Sequence, residues 1–289
     1  MDRERLLKKV RTIELQMRGM TEHVFSGQYQ SAFKGKGMSF SEVRNYQIGD
    51  DVRTIDWNVT ARFREPYVKV FEEERELTVM LIVDVSGSMY FGRGEDSKLS
   101  TAVEALATLG FSAAKKNDRM GALFVSDQVE YYVPPKKGYG HVHFIIRKLI
   151  DLKPKSLKTD LSEGLKQARN LLKQRSICFI VSDFTDLATV KDGLAATNGK
   201  HDVIALQVTD PAESELPSLG FVRWVNSEDG TTTWVDSSDP KVQESYKSKQ
   251  EKHLKDNETL FRQMNIDSCF ITVGDPIHQI LFTLFKRHK

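Results

Sequence analysis

The apolar positions of this chain follow two different rhythms. From Leu77 to Val83 the sequence reads L-T-V-M-L-I-V, seven residues with almost no polar alternation. A short run of this kind, rich in β-branched residues, predicts a strand covered on both faces. Comparable runs recur at Met120 to Val125, Ile177 to Ser182, Val203 to Val208 and Ser268 to Val273. Between them the apolar residues return at helical spacing. Leu99, Val103, Leu106, Leu109 and Ala113 line one face of a helix over Lys98 to Lys115. Val142, Ile145, Ile146 and Leu149 do the same over His141 to Leu152. Further helices are predicted over 161–173, 187–197, 240–264 and 276–287, the third of them highly charged. Strands alternating with helices predict an α/β fold, a doubly wound, mostly parallel sheet. The run Val129 to Val133 follows Val125 after only Ser126-Asp127-Gln128. That link is too short for a parallel crossover, so this strand is expected to be antiparallel, at the sheet edge, and to stop at Pro134-Pro135. Gly220 to Val235, two β-rich segments around a Glu-Asp-Gly turn, predicts a hairpin inserted at about 216–237.

The first 75 residues have another texture, and the expected division is an N-terminal extension over 1–75 followed by an α/β domain over 76–289. Leu6, Val10, Ile13 and Met17 fall at helical spacing, which predicts a short amphipathic helix packed on the rest of the fold. Phe25 to Met38 is rich in Gly, Ser and Gln and reads as a loop. Its lysines between glycines lack the spacing of a phosphate-binding loop. Beyond it, Arg44, Arg53 and Arg62 alternate with Asp50, Asp51 and Asp56, and Trp57 closes the segment. The alternation predicts a charge network with bidentate pairs. Asp50, Asp51, Arg53, Asp56 and Trp57 stand either as a salt-bridged turn that anchors the extension, with Trp57 packed, or as a surface for docking a partner. Pro66 to Phe71 alternates like a strand.

Composition narrows the classes. Hydrophobic residues make up 39% and charged residues 28%, values of a soluble globular chain with a sizeable core. Lys and Arg number 42 against 40 Asp and Glu, a near-balance that gives no support to nucleic acid as a partner. No apolar stretch approaches the ~18 residues of a membrane span, and the start M-D-R-E-R-L-L-K-K-V has no apolar signal core. Cys178 and Cys269 read as reduced core residues. Together these features lead us to expect a cytoplasmic protein without a transmembrane segment.

The candidate chemistry follows the first buried run. Asp84, Ser86 and Ser88, in D-V-S-G-S, would sit at the carboxyl end of a parallel strand, where ligands of such sheets bind. One carboxylate and two hydroxyls are hard oxygen donors suited to Mg²⁺, with Mn²⁺ or Ca²⁺ as alternatives; a plain helix N-cap cluster is the other reading of this turn. D-x-S-G-S after an apolar strand resembles the metal-ion-dependent adhesion site of von Willebrand factor A domains. The resemblance implies two further ligands, a threonine and an aspartate. Thr159 in K-T-D-L-S-E-G-L, before a helix that Asp160 and Glu163 would cap, and Asp183 at the end of I-C-F-I-V-S-D match them in order. A second stretch, Y-x-x-G-D-D-x-R-x-I-D-W followed by A-R and V-K-V-F-E-E-E-R, is similar to the signature of the bacterial family called domain of unknown function 58. These resemblances imply a metal-dependent protein–protein interaction module. Its ion would take an Asp or Glu from a partner protein, and the implied partners are a MoxR-type AAA+ ATPase and other von Willebrand A proteins. No catalytic residue is assigned. D-x-D of the haloacid-dehalogenase type, G-x-S-x-G and G-x-G-x-x-G are all absent from the site's sequence. A metal-dependent hydrolase and a structural domain with a vestigial site remain the rival readings.

Overall fold

A strand with apolar side chains on both faces needs a covering layer on each side, and the architecture follows from that demand. The structure is a computed structural model that describes residues 3–20, 37–74, 76–93, 96–214, 216–225, 227, 228 and 230–286. The chain divides into two units, one of residues 1–28 and 77–289, the other of residues 29–76. The expected extension over 1–75 is therefore split. Its helix Arg3–Gly19 belongs to the larger unit, where it packs on the helix Lys98–Lys115. The Lys115 ammonium there donates to the carbonyls of Met17, Arg18 and Met20, the last turn of the N-terminal helix.

The smaller unit is built on an antiparallel pair, β1 (Gly37–Asn45) and β2 (Tyr67–Glu74), with a bulge between Phe40 and Glu42. Strand β1 begins inside the stretch read as a loop; residues 25–36 of that stretch lie outside those described. Of the expected charge network, the described residues show a bidentate pair between Arg44 and Asp50. Arg44 holds Asp50 at 2.8 and 2.7 Å, and the pairing keeps the Asp50 carboxyl below its usual range. Asp51 and Asp56 turn to the backbone, and Asp56 also meets the Lys69 ammonium at 3.5 Å. Asp51 accepts from the Arg53 amide, and Asp56 caps the helix Trp57–Phe63 by accepting from the amides of Asn58 and Val59. Short acidic side chains before a helix satisfy amides that have no intrahelical acceptor, which competes well with exposed ion pairing. Arg53 is exposed and Trp57 is 70% exposed, so the packed role expected for Trp57 is not observed.

The larger unit holds a six-stranded sheet. After β3 (Thr78–Asp84) come a two-residue pair, β4 (Gly92–Arg93) and β5 (Asp96–Ser97), then β6 (Arg119–Val125) and β7 (Val129–Lys136). β8 (Ile177–Ser182) and β9 (Asp202–Thr209) follow, then the hairpin β10 (Phe221–Val225) and β11 (Thr232–Asp236), and finally β12 (Asp267–Thr272). The sheet order is β12-β9-β8-β3-β6-β7, parallel throughout except for β7, which is antiparallel to β6 at the edge. This is the doubly wound arrangement the alternating pattern predicts. One expectation fails at that edge: β7 runs through Pro134 and Pro135. An edge strand tolerates proline because its outward amides have no ladder partner, and the register slips between Met120 and Ala122 opposite it.

Strand parity assigns the two faces. Met80, Ile82, Leu123, Val125, Cys178, Ile180, Val203 and Ala205 meet the helices Leu161–Leu171 and Leu187–Lys200 and Phe261 of the helix Pro240–Gln263 in one core. On the opposite face Phe179 packs edge-on against Phe285 at 5.9 Å. Cys178 is buried and Cys269 half-buried, both as free thiols. Among the described residues no helix is long and apolar enough to cross a membrane. Ile180, fully buried at the centre of the sheet, gives a direct test of this packing. Truncation to Ala is expected to cost about 2–5 kcal/mol, read as a lower urea midpoint at unchanged slope. A loss below about 1 kcal/mol would mean that the site collapses freely and the two-faced core is not tightly packed.

Candidate functional site

β3 and β8 are neighbours in the sheet, and the chain leaves them in opposite directions, to β6 on one side and β9 on the other. The crevice at the carboxyl ends of such a pair is where doubly wound sheets bind ligands. The pairing sets Val83 beside Val181, so Asp84 and the Ser182-Asp183 step end the two strands together.

Asp84 is fully buried. Its Oδ1 accepts from the Ser86 amide at 2.9 Å and its Oδ2 from the Ser182 hydroxyl at 2.6 Å. Burial, then the nearby charge of Asp183, push its carboxyl up to about 6, against the opposing pull of the bonds from Ser182 and Ser86. The turn after Asp84 continues as a short 3₁₀ helix, Gly87–Tyr90, and folds the Ser86 and Ser88 hydroxyls to 3.2 Å of each other. Asp183 is 4% exposed; its Oδ1 accepts from the Thr185 amide at 3.3 Å. Gln207 on β9 fixes the same step by donating to the Asp183 carbonyl at 2.9 Å.

Thr159 arrives from a separate loop. Asp160 caps the helix Leu161–Leu171 by accepting from the Ser162 amide, and the Asp160 amide donates to the Ser126 carbonyl beyond β6. The Gly87 amide donates to the Leu157 carbonyl at 2.8 Å, which ties this loop to the serine turn. The Thr159 hydroxyl itself donates to Glu228 Oε1 at 2.7 Å. The structure thus gathers Asp84, Ser86, Ser88 and Asp183 around the ends of β3 and β8. It joins Thr159 to them through the backbone and gives its hydroxyl a partner on the β10–β11 hairpin. The five docking candidates Asp50, Asp51, Arg53, Asp56 and Trp57 lie in the smaller unit.

Two participants escape the sequence reading. Lys98, the first residue of its helix, is fully buried; its ammonium bonds Asp183 Oδ2 at 2.8 Å and Glu213 Oε1 at 2.6 Å. Burial pulls its pKa down, but the two carboxylates more than offset that, and the net shift is upward. In the sequence Lys98 looks like the polar start of an amphipathic helix. The other participant, Glu228, looks like a turn residue. A signal for Lys98 was present: a cation in the first turn of a helix opposes the helix dipole and calls for a local acid.

The residues present fit a hard divalent ion. Two hydroxyls lie together beside two buried carboxylates, one of which has its proton affinity raised by burial and then by the charge of the other. Hydroxyl oxygens keep lone pairs after donating their proton. Among the described residues no group of three or more His, Cys, Asp or Glu gathers to hold a metal, so the hydroxyls are essential to such a site. Lys98 already supplies one positive charge to Asp183.

The buried acid gives a pH prediction. A carboxyl whose folded-state pKa lies above its unfolded value of 3.8 destabilises the fold once ionised. In chelated buffer, Asp84→Asn is expected to be more stable than wild type at pH 8, by roughly 3 kcal/mol. The gap should close as pH falls through 6 toward 4. Urea titrations at pH 8 and 5 measure it; a pH-independent gap would mean that Asp84 is not held in a charge-hostile place.

The family model described as "Protein of unknown function DUF58" matches residues 42–256. Uncharacterized proteins of Mycobacterium bovis (Mb1516) and Mycobacterium tuberculosis (Rv1480) are each 32% identical over 247 residues, 85% of this chain and 78% of theirs. Among solved structures, BatB from Bacteroides thetaiotaomicron is similar at a TM-score of 0.49 and 13% identity, covering 73% of this chain and 98% of that one. An aerotolerance-related membrane protein from Bacteroides fragilis is similar at 0.48 and 15%, covering 73% and 97%. With the family model spanning most of the chain and the mycobacterial relatives aligned over most of theirs, the chain belongs to the DUF58 family.

Proposed function

We propose that this protein is a divalent-cation-dependent protein–protein interaction module of the von Willebrand A type, working by recognition and not by turnover. The observation that carries the reading is the pair of serine hydroxyls, 3.2 Å apart, beside the ends of two neighbouring strands that each close on a buried carboxylate. Ser86, Ser88 and Thr159 would hold the ion through neutral oxygens, with Asp84 and Asp183 supplying the charge. Mg²⁺ suits this donor set best, with Mn²⁺ or Ca²⁺ as alternatives. When bound, the ion would supply positive charge that neutral hydroxyls do not quench. The chain's own part is to fix the carboxylates beside those hydroxyls: Ser182 and the Ser86 amide lock Asp84, and Lys98 locks Asp183. The partner chemistry is an Asp or Glu side chain on another protein. The family signature favours a MoxR-type AAA+ ATPase or another von Willebrand A protein as its source, and assembly or activation of protein complexes as the process.

One observation favours a hydrolase as second reading. Glu228 lies on Thr159, and a carboxylate there could serve as a base for a metal-activated water. That reading requires turnover of a generic phosphate ester, lost in both Asp84→Ala and Glu228→Gln.

Immobilised full-length chain, exposed to lysate of its own organism, tests the module. Proteins retained by wild type in Mg²⁺ should be lost in EDTA, lost with Asp84→Ala, and recovered by wild type when Mg²⁺ or Mn²⁺ is returned. Identical retention in all conditions would leave the rim as a structural feature only.

A further inference from the structure

We propose that Glu228, at the tip of the β10–β11 hairpin, is the site's own carboxylate ligand, occupying in cis the place a partner's acid would take. The inference rests on reading the rim as a cation site.

The hairpin tip is seated on the rim. Thr159 donates to Glu228 across 69 residues of sequence. One residue earlier, the Ser227 carbonyl lies so close to Gly87 that a Cβ added there would strike it; the Leu157 carbonyl stands at 3.2 Å from the same point. Glycine in D-V-S-G-S is therefore what lets the hairpin backbone approach the serine turn. Glu228 is half-buried although Ser227 and Gly230 around it are exposed. Phe221 and Trp234 of the stem are 75% and 69% exposed, so Glu228 is more enclosed than these aromatic side chains.

The stem of the hairpin is fixed to the same unit at two points. Trp224 meets Tyr246 of the helix Pro240–Gln263 edge-on at 5.4 Å, and Ser237 closes the stem by donating to the Gly220 carbonyl through both its amide and its hydroxyl. A hairpin held in this way brings the Glu228 carboxylate to the Thr159 hydroxyl. The Thr159 hydroxyl has a single proton to give, and it gives it to Glu228; its oxygen lone pairs are left for a cation. Glu228 thus stands next to a proposed metal ligand with the charge a hard cation attracts. A partner that offers an acid must then displace the hairpin tip, so the hairpin sets the threshold for recognition.

The test uses the full chain and Mn²⁺ alone. Calorimetric titration is made on wild type, Glu228→Gln and Asp84→Ala, alongside limited proteolysis of the 221–236 segment with and without Mn²⁺. Glu228→Gln should bind Mn²⁺ about tenfold or more weakly than wild type. Mn²⁺ should protect the hairpin from cleavage in wild type and not in Glu228→Gln, while Asp84→Ala binds no Mn²⁺. Equal or tighter Mn²⁺ binding by Glu228→Gln, or hairpin cleavage indifferent to Mn²⁺ in wild type, would overturn the role of Glu228 and leave the cation site standing. No Mn²⁺ binding by wild type would overturn both.

Discussion

Two carboxylates ending adjacent strands of one buried sheet impose the constraint around which the rim is organised. The fold makes their proximity unavoidable, because β3 and β8 pair along their length and the acids follow at their ends. Burial denies both acids the water that would screen them, and at Asp84 that burial, together with the charge of Asp183, raises the cost of ionisation. Every other polar choice at the rim answers that cost. Ser182 and the Ser86 amide spend hydrogen bonds on Asp84, Gln207 pins the backbone at Asp183, and Lys98 is buried outright to sit on its carboxylate. An ammonium is rarely enclosed unless it is paired, and here it is paired twice, since Glu213 takes its other side.

The same constraint explains why hydroxyls and not further acids complete the rim. A third buried carboxylate at the serine turn would add repulsion with no new counter-charge. Ser86, Ser88 and Thr159 add oxygen without adding charge, and their loops are tied to each other through Gly87 and Leu157. The additional acid enters from outside the sheet, on a hairpin, where it remains half in solvent. The division of labour is therefore between charge fixed by the core and charge delivered by an insertion.

Much of this was legible in the sequence because it rests on local rules. The apolar runs that became β3 and β8 declare buried strands, the three-residue link before β7 forces it antiparallel, and D-V-S-G-S places three donors within five residues. What was not legible depends on distance. Lys98 occupies an ordinary polar position in the first turn of an amphipathic helix, and only the packed sheet turns it toward Asp183, 85 residues away. Glu228 is one acid in a turn until the hairpin is placed against Thr159. Elsewhere two local rules compete: the alternating arginines offer Asp51 and Asp56 ion-pair partners, yet each takes a nearer donor in the backbone that follows it. Strand β1 opens on glycine and serine, which carry little strand propensity, and its order comes from pairing with β2.

The central claim is that a cation belongs at this rim and is held by its hydroxyls. Anomalous diffraction from crystals of the full chain soaked in Mn²⁺ tests it most directly. The account predicts one strong anomalous peak within ligand distance of the Ser86, Ser88 and Thr159 hydroxyl oxygens. The same soak of Asp84→Ala crystals should show none. A peak elsewhere, or a rim that stays without signal while Mn²⁺ binds another part of the molecule, would contradict it.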